Sequence, residues 1–98
     1  MATFITTLHF TEQGIKAVRD TCERAAAFKA TAKKMGIKVT GQYWTLGTFD
    51  GVIVYEAPDE ATATAAMLHL SSQDNLRTQT ARAFDAAEMQ KILGLLPK

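Results

Sequence analysis

YWTLGTFDGVIVYEAPD, running from Tyr43 to Asp59, decides the fold. Two β-rich runs, Ile37 to Leu46 and Phe49 to Glu56, flank a short Gly-containing connection and predict an antiparallel hairpin. Its register has two readings. Gly47-Thr48 forms the tight turn, with Gly51 inside the later strand or at a bulge of it, or the turn falls on Asp50-Gly51, the stronger hairpin dipeptide. The first is preferred, because Phe49 then leads directly into Val52, Ile53, Val54 and Tyr55. Pro58 ends the strand, and Asp59 stands where it can cap a helix in which Ala63, Ala66, Met67 and Leu70 fall at i, i+3, i+4 and i+7. The buried face of that helix is built of small residues, which permits close approach to a sheet.

Upstream, Thr3 to Phe10 is rich in Thr, Phe and Ile and reads as a strand, with a helix entry at Thr11-Glu12-Gln13-Gly14. Ile15, Val18, Cys22, Ala25, Phe28, Ala32 and Met35 then step by three or four residues, opposite Lys16, Arg19, Glu23, Lys29 and Lys33. This predicts one long amphipathic helix ending at Gly36, with Cys22 packed in its buried stripe. Downstream, Leu76 to Phe84 alternates but is polar on both faces, as an edge strand or one facing a wet cavity would be. Asp85-Ala86-Ala87-Glu88 has capping-box spacing, and Met89, Ile92, Leu93 and Leu96 follow at helical intervals.

The order is βαββαβ plus a C-terminal helix, the ferredoxin-like α+β topology, in a single domain over residues 1–98. Two long helices must share one sheet face, which leaves the other bare. The strands nonetheless carry apolar or aromatic pairs pointing both ways: Phe4 and Ile5, Tyr43 and Trp44, Ile53 and Val54. A bare apolar face of several hundred Å² marks an interface or a ligand surface, so self-association is expected, as a homodimer or higher homo-oligomer.

Composition narrows the function. At 98 residues, 47% hydrophobic and 21% charged, the chain has the make-up of an ordinary globule with a large surface for its volume. Eleven basic against ten acidic residues give +1, so no overall field favours nucleic acid or a membrane surface. MATFITTLHF lacks a basic stretch followed by a long apolar run, and no segment approaches the ~20 apolar residues of a membrane span. One cysteine permits neither an internal disulfide nor a Cys-based zinc site, which suits the cytoplasm. No metal and no cofactor are expected, since phosphate loop, Ser-His-Asp order, CxxC and HExxH are all missing. The βαββαβ order is shared with RNA-recognition motifs, but Leu46 precedes Gly47, and Gly51 and Ile53 stand where stacking rings would be needed.

Tyr43 through Asp59, Leu76 to Phe84, the opening Phe10-Thr11-Glu12-Gln13-Gly14-Ile15 and Lys91-Ile92-Leu93 before Pro97 together resemble the GYD-domain family of small bacterial proteins over nearly the full chain. The name-giving Gly-x-Tyr-Asp stands here as Gly47-Thr48-Phe49-Asp50, so a phenyl ring replaces the phenol. The resemblance implies a dimeric α+β barrel, two such sheets closing around a small-molecule cavity. That wider group holds isomerases, monooxygenases, cyclases and structural or sensory domains, and the fold does not choose among them. The function expected from it is binding of a small aromatic or oxidised metabolite between the sheets, alternatively a non-catalytic structural or regulatory oligomerisation module. An enzyme of this kind would be a cofactor-independent isomerase or monooxygenase.

Five residues are candidates for ligand binding: His9, Trp44, Asp50, Arg77 and Arg82. His9, sharing a strand face with Ile5 and Thr7, has the chemistry of a general base, or is simply hydrogen-bonded at the edge. Trp44 and Tyr43 point to opposite faces, one packing in the core or an interface and the other free to stack on an aromatic ligand. Asp50 is a carboxylate at the barrel mouth or a plain turn residue. Arg77 and Arg82, on opposite faces of the last strand, bind an anion or make surface ion pairs. His69 reads as a solvated helix histidine.

Overall fold

The computed structural model describes residues 1–98. Its elements are β1 (Ala2–Phe10), α1 (Glu12–Lys16), a 3₁₀ turn (Val18–Asp20), α2 (Thr21–Lys34), β2 (Lys38–Trp44), β3 (Gly51–Ala57), α3 (Glu60–Ser71), β4 (Leu76–Ala83) and α4 (Ala86–Leu93). The four strands form one antiparallel sheet in the order β2-β3-β1-β4. With β1 central and β4 at the edge, this is the ferredoxin-like arrangement, extended by α4.

Strand alternation sorts the side chains. Phe4, Thr6 and Leu8 of β1 lie beside Tyr55, Ile53 and Gly51 of β3 and point toward α2 and α3. The buried core, Phe4, Phe28, Ala32, Ile37, Ile53, Tyr55, Ala57, Ala63, Ala66, Met67 and Leu70, lies wholly between that face and the helices. Thr6 is the buried polar exception, and its hydroxyl bonds the Tyr55 hydroxyl at 3.0 Å and the Thr80 hydroxyl at 2.8 Å, so nothing in the chain of three is left unpaired. On the other face lie Ile5, Thr7 and His9 of β1, Val52 and Val54 of β3, and Tyr43 of β2, with no helix above them.

Local chemistry fixes α3 and α4 as the sequence implies. Asp59 accepts from the Thr62 N–H at 2.7 Å, and Ala63, Ala66, Met67 and Leu70 are the buried residues of α3. Asp85 and Glu88 form a reciprocal capping box at 2.8 and 3.1 Å.

Two expectations are corrected. The hairpin turns neither on Gly47-Thr48 nor on Asp50-Gly51: Trp44 pairs with Gly51, leaving residues 45–50 as a longer connection closed by Thr45 N–H to Asp50 C=O at 3.0 Å. Asp50 is pulled away from the hairpin because its N–H donates to Leu8 C=O at 2.8 Å and its carboxylate accepts the Phe10 N–H, also at 2.8 Å. The bulge falls in β2, at Thr40 between Val39 and Gly41. The first helix is likewise not continuous. It breaks at the 3₁₀ turn, which winds more tightly than an α-helix and rotates the stripe, so that Ile15, Val18 and Cys22 are exposed and the packed face of α2 begins at Thr21, Arg24 and Ala25. Cys22 is therefore a surface thiol rather than a core one.

What holds α1 in place is a tie to the turn between α3 and β4. The Thr11 N–H bonds Asn75 C=O at 3.1 Å, its hydroxyl donates to Asp74 C=O, and Gln13 Nε2 reaches Gln73 C=O and Asn75 Oδ1 at 3.2 and 3.0 Å. Asp74 takes φ +64° at this corner, a left-handed conformation that Asp adopts more readily than most residues. The chain measures 53 × 31 × 19 Å, with a radius of gyration of 14.9 Å. A compact chain of this length has roughly 13 Å. α4 contributes to the excess, since none of its residues is buried.

Candidate functional site

The first turns of α2 lie over β2 and the start of β3, and between them a cavity of about 50 Å³ opens on the helix side of the sheet. Its position follows from small residues: Gly51 contributes no side chain at its floor and Ala25 only a methyl group. The walls are mainly apolar, with Leu8, Phe28, Trp44 and Leu70 among them, and Arg24, Gln42, Asp50 and Gln73 supply the polar groups. Hydrogen bonds hold this rim. Trp44 Nε1 donates to the Thr21 hydroxyl at 3.0 Å, Gln42 Nε2 to Ala25 C=O at 3.2 Å, and Arg24 Nη1 to Ala17 C=O at 2.9 Å. Arg24 Nη2 is buried without a partner.

The five candidates divide among three places. Trp44 and Asp50 line this cavity. His9 and Arg77 pair across β1 and β4 on the uncovered face, where His9 Nε2 donates to Thr48 C=O at 3.0 Å. Arg82 sits on the helix side, its guanidinium 4.6 Å from the Phe84 ring centroid, with Nη1 donating to Thr3 and Ala83 C=O and Nη2 paired to Glu88 at 3.1 Å. Arg82 thereby straps the start of α4 to the sheet edge. As expected, Trp44 and Tyr43 point to opposite faces, Trp44 toward α2 and Tyr43 outward at 60% exposure.

Arg24 is the residue that sequence reasoning missed. Once the stripe of α2 is counted from Thr21, Arg24 lies at i+3 and Phe28 at i+7, so an arginine on the buried face was there to be read. The continuous-helix reading hid it by assigning that face to Val18 and Cys22.

The Asp59 carboxyl is held below the usual range by the Thr62 N–H, and Glu88 below its own by the Asp85 N–H and then Arg82. No group of three or more His, Cys, Asp or Glu side chains is arranged to hold a metal ion. No helix is long and apolar enough to cross a membrane.

Strand order and helix placement define a ferredoxin-like α+β domain, with a small apolar cavity carrying few polar groups on the helix side of its sheet. The GYD domain family model matches residues 4–93, and the chain belongs to that family. It is 36% identical over 90 residues to a Thermus thermophilus protein named "Glutamine synthetase and cystathionine beta-lyase binding protein", an alignment covering 91% of this chain and 95% of that one. No solved structure gave a significant match.

Proposed function

We propose that this protein is a non-catalytic cytoplasmic binding module that pairs with a second copy through its uncovered sheet face and docks on metabolic enzymes through α4. The observation that carries the reading is apolar surface left open to solvent. Phe84, Met89 and Leu93 are 50%, 45% and 45% exposed in and beside α4, and Tyr43 and Ile5 are exposed on the sheet. Burying an apolar side chain fully is worth about 1.5–3 kcal/mol, so both patches favour partners over water. The relative's name supports enzymes as the partners on the α4 side, and glutamine synthetase and cystathionine beta-lyase are the first to try.

A second reading is that a small aromatic or oxidised metabolite sits between the paired sheets. It rests on His9 and Arg77 lying side by side on that face. The two readings share the homodimer and differ in whether the enclosed space holds a ligand.

Light scattering at micromolar concentration tests the pairing, with twice the chain mass expected; a monomer there removes both readings. Surface-plasmon measurement against the two enzymes from the source organism tests the docking. Met89→Ser with Leu93→Ser should abolish the response while leaving the homodimer intact, and absence of any response from the unaltered protein ends the enzyme-docking reading.

A further inference from the structure

β4 lies at one end of the sheet, paired to β1 on one side and open on the other. We propose that this edge, together with the groove between β4 and α3, receives an extended acidic segment of another protein as a fifth strand.

The ladder decides which backbone groups are free. One step beyond the β1–β4 register, the Thr11 N–H bonds Asn75 C=O at 3.1 Å, so these two residues form a hydrogen-bonded pair. Such pairs alternate along an antiparallel ladder. Arg77, Gln79 and Ala81 therefore turn their N–H and C=O groups to β1, while Thr78, Thr80 and Arg82 turn theirs outward. The same alternation sends Leu8 C=O and Phe10 N–H the other way, to Asp50.

The two edges of the sheet differ. β2 opens with Lys38 and is bulged at Thr40, whose hydroxyl donates to Val54 C=O at 3.1 Å. Bulges, prolines and edge lysines discourage the addition of a further strand. β4 has none of them, and its eight residues pair with β1 without a break.

Beside the open edge, a groove of about 390 Å³ runs between α3 and β4. It is lined by the buried Phe4, Ala63 and Met67 and by Leu68, Thr78 and Thr80. Leu68, 66% exposed, is the one large apolar residue of α3 that the fold leaves outside. Thr78 and Thr80 share the helix-facing side of β4, since they pair with Leu8 and Thr6. A strand added outside β4 sets the side chains opposite Thr78 and Thr80 over that groove. Backbone bonds then supply affinity, and the groove selects side chains.

Charge chooses the partner. β4 holds two arginines and no acid. Arg82 is neutralised by Glu88, but Arg77 is exposed on the uncovered face and forms no ion pair. Opposite charges across a strand pair attract, and like charges repel. A second copy offering its own β4 would add two more arginines and lay threonines over the groove. The fitting segment instead alternates apolar and polar residues and carries a carboxylate across from Arg77.

The probe is the peptide Ser-Val-Thr-Val-Thr-Val-Glu, labelled with fluorescein at its N-terminus and read by fluorescence polarisation on the full chain. Laid antiparallel to β4, it places its valines opposite Arg82, Thr80 and Thr78 and its glutamate opposite Arg77. A Kd of about 100 μM is expected, as suits a short segment that loses its freedom on docking. N-methylation of the valines, whose N–H groups face β4, should weaken binding about tenfold or more, and N-methylation of the threonines by less than about threefold. Lysine in place of the glutamate should weaken it about fivefold. In the protein, Leu68→Glu should weaken binding about tenfold. Thr78→Pro should do the same, because proline is tolerated where an edge N–H faces solvent but removes that donor. The methylated peptides are compared on the unaltered protein, so their result survives a variant that fails to fold. No binding up to about 1 mM, or equal weakening by the two methylations, overturns the proposal. So does a fall in the light-scattering mass on adding peptide, which would show that a second copy holds the edge. The edge is present in monomer and dimer alike, so failure of the self-pairing reading is told apart from failure here.

Discussion

The two faces of the sheet are made by the same strands from nearly the same residue types, yet they have opposite fates. Phe4 and Ile53, facing the helices, are 4% and 3% exposed, whereas Ile5, one residue on, is 37% exposed and Val54 only half-buried. A single-chain fold needs apolar residues on one face only, because α2 and α3 both pack there. Apolar residues on the other face contribute little to the monomer and become useful when something covers them. The difference between the faces thus separates residues that make the fold from those left free to meet a partner.

The sharpest way to break that division is to truncate one aromatic on each side. Phe28→Ala, under the helices at 5% exposure, should cost about 3–5 kcal/mol in urea unfolding of the monomer. Tyr43→Ala, on the bare face, should change monomer stability by only about 0.5 kcal/mol but weaken self-association by light scattering. A Tyr43 variant that unfolds as readily as the Phe28 one would mean the bare face also belongs to the monomer's core.

Next in size is Gly14→Ala. In a helix that exchange ordinarily gains up to about 1 kcal/mol. Here a Cβ would lie 2.0 Å from the Asn75 carbonyl oxygen, a backbone atom that cannot swing aside. The clash wins, and a loss of about 3 kcal/mol in urea titration is expected, with the tie between α1 and the α3–β4 turn opened. Smaller is Tyr55→Phe, which removes one link of the Thr6, Tyr55 and Thr80 hydroxyl chain. Thr6 keeps Thr80, so the cost should be about 1 kcal/mol, still borne wholly by the helix-covered side.

These sites also show which parts of the fold were legible in the sequence. The caps at Asp59 and Asp85 were readable because each acts on an N–H three residues away, and the α3 stripe because it runs unbroken. The hairpin connection was not, since Asp50 is held by Leu8 and Phe10 on a strand forty residues earlier. The break before α2 was missed for a similar reason: α1 is fixed by Gln73, Asp74 and Asn75, which no local pattern announces. Of the candidate site, Trp44 and Asp50 were legible as residue types. Arg24 was lost with the helix register, and Cys22 was placed inside by the same error.

The smallest expected effect concerns acid, and it tests whether α3 and α4, one buried and one bare, are held by the same end chemistry. Asp59 caps α3 and Glu88 closes the box of α4, and both carboxyls sit below their ordinary values because backbone N–H groups donate to the charged forms. A carboxyl depressed in the folded state adds stability that is complete above its unfolded value, about pH 4, and is lost as pH falls through the lower folded value. Stability should thus be flat from neutral pH to about pH 5 and decline below pH 4. In Asp59→Asn that decline should shrink in urea unfolding, because α3 is part of the core. Glu88→Gln should instead shrink an early loss of far-UV helix signal that precedes global unfolding, because nothing in α4 is buried. If helix signal and global stability fall together in both variants, α4 is coupled to the core, and the bare region is smaller than the exposed stripe of Met89 and Leu93 implies.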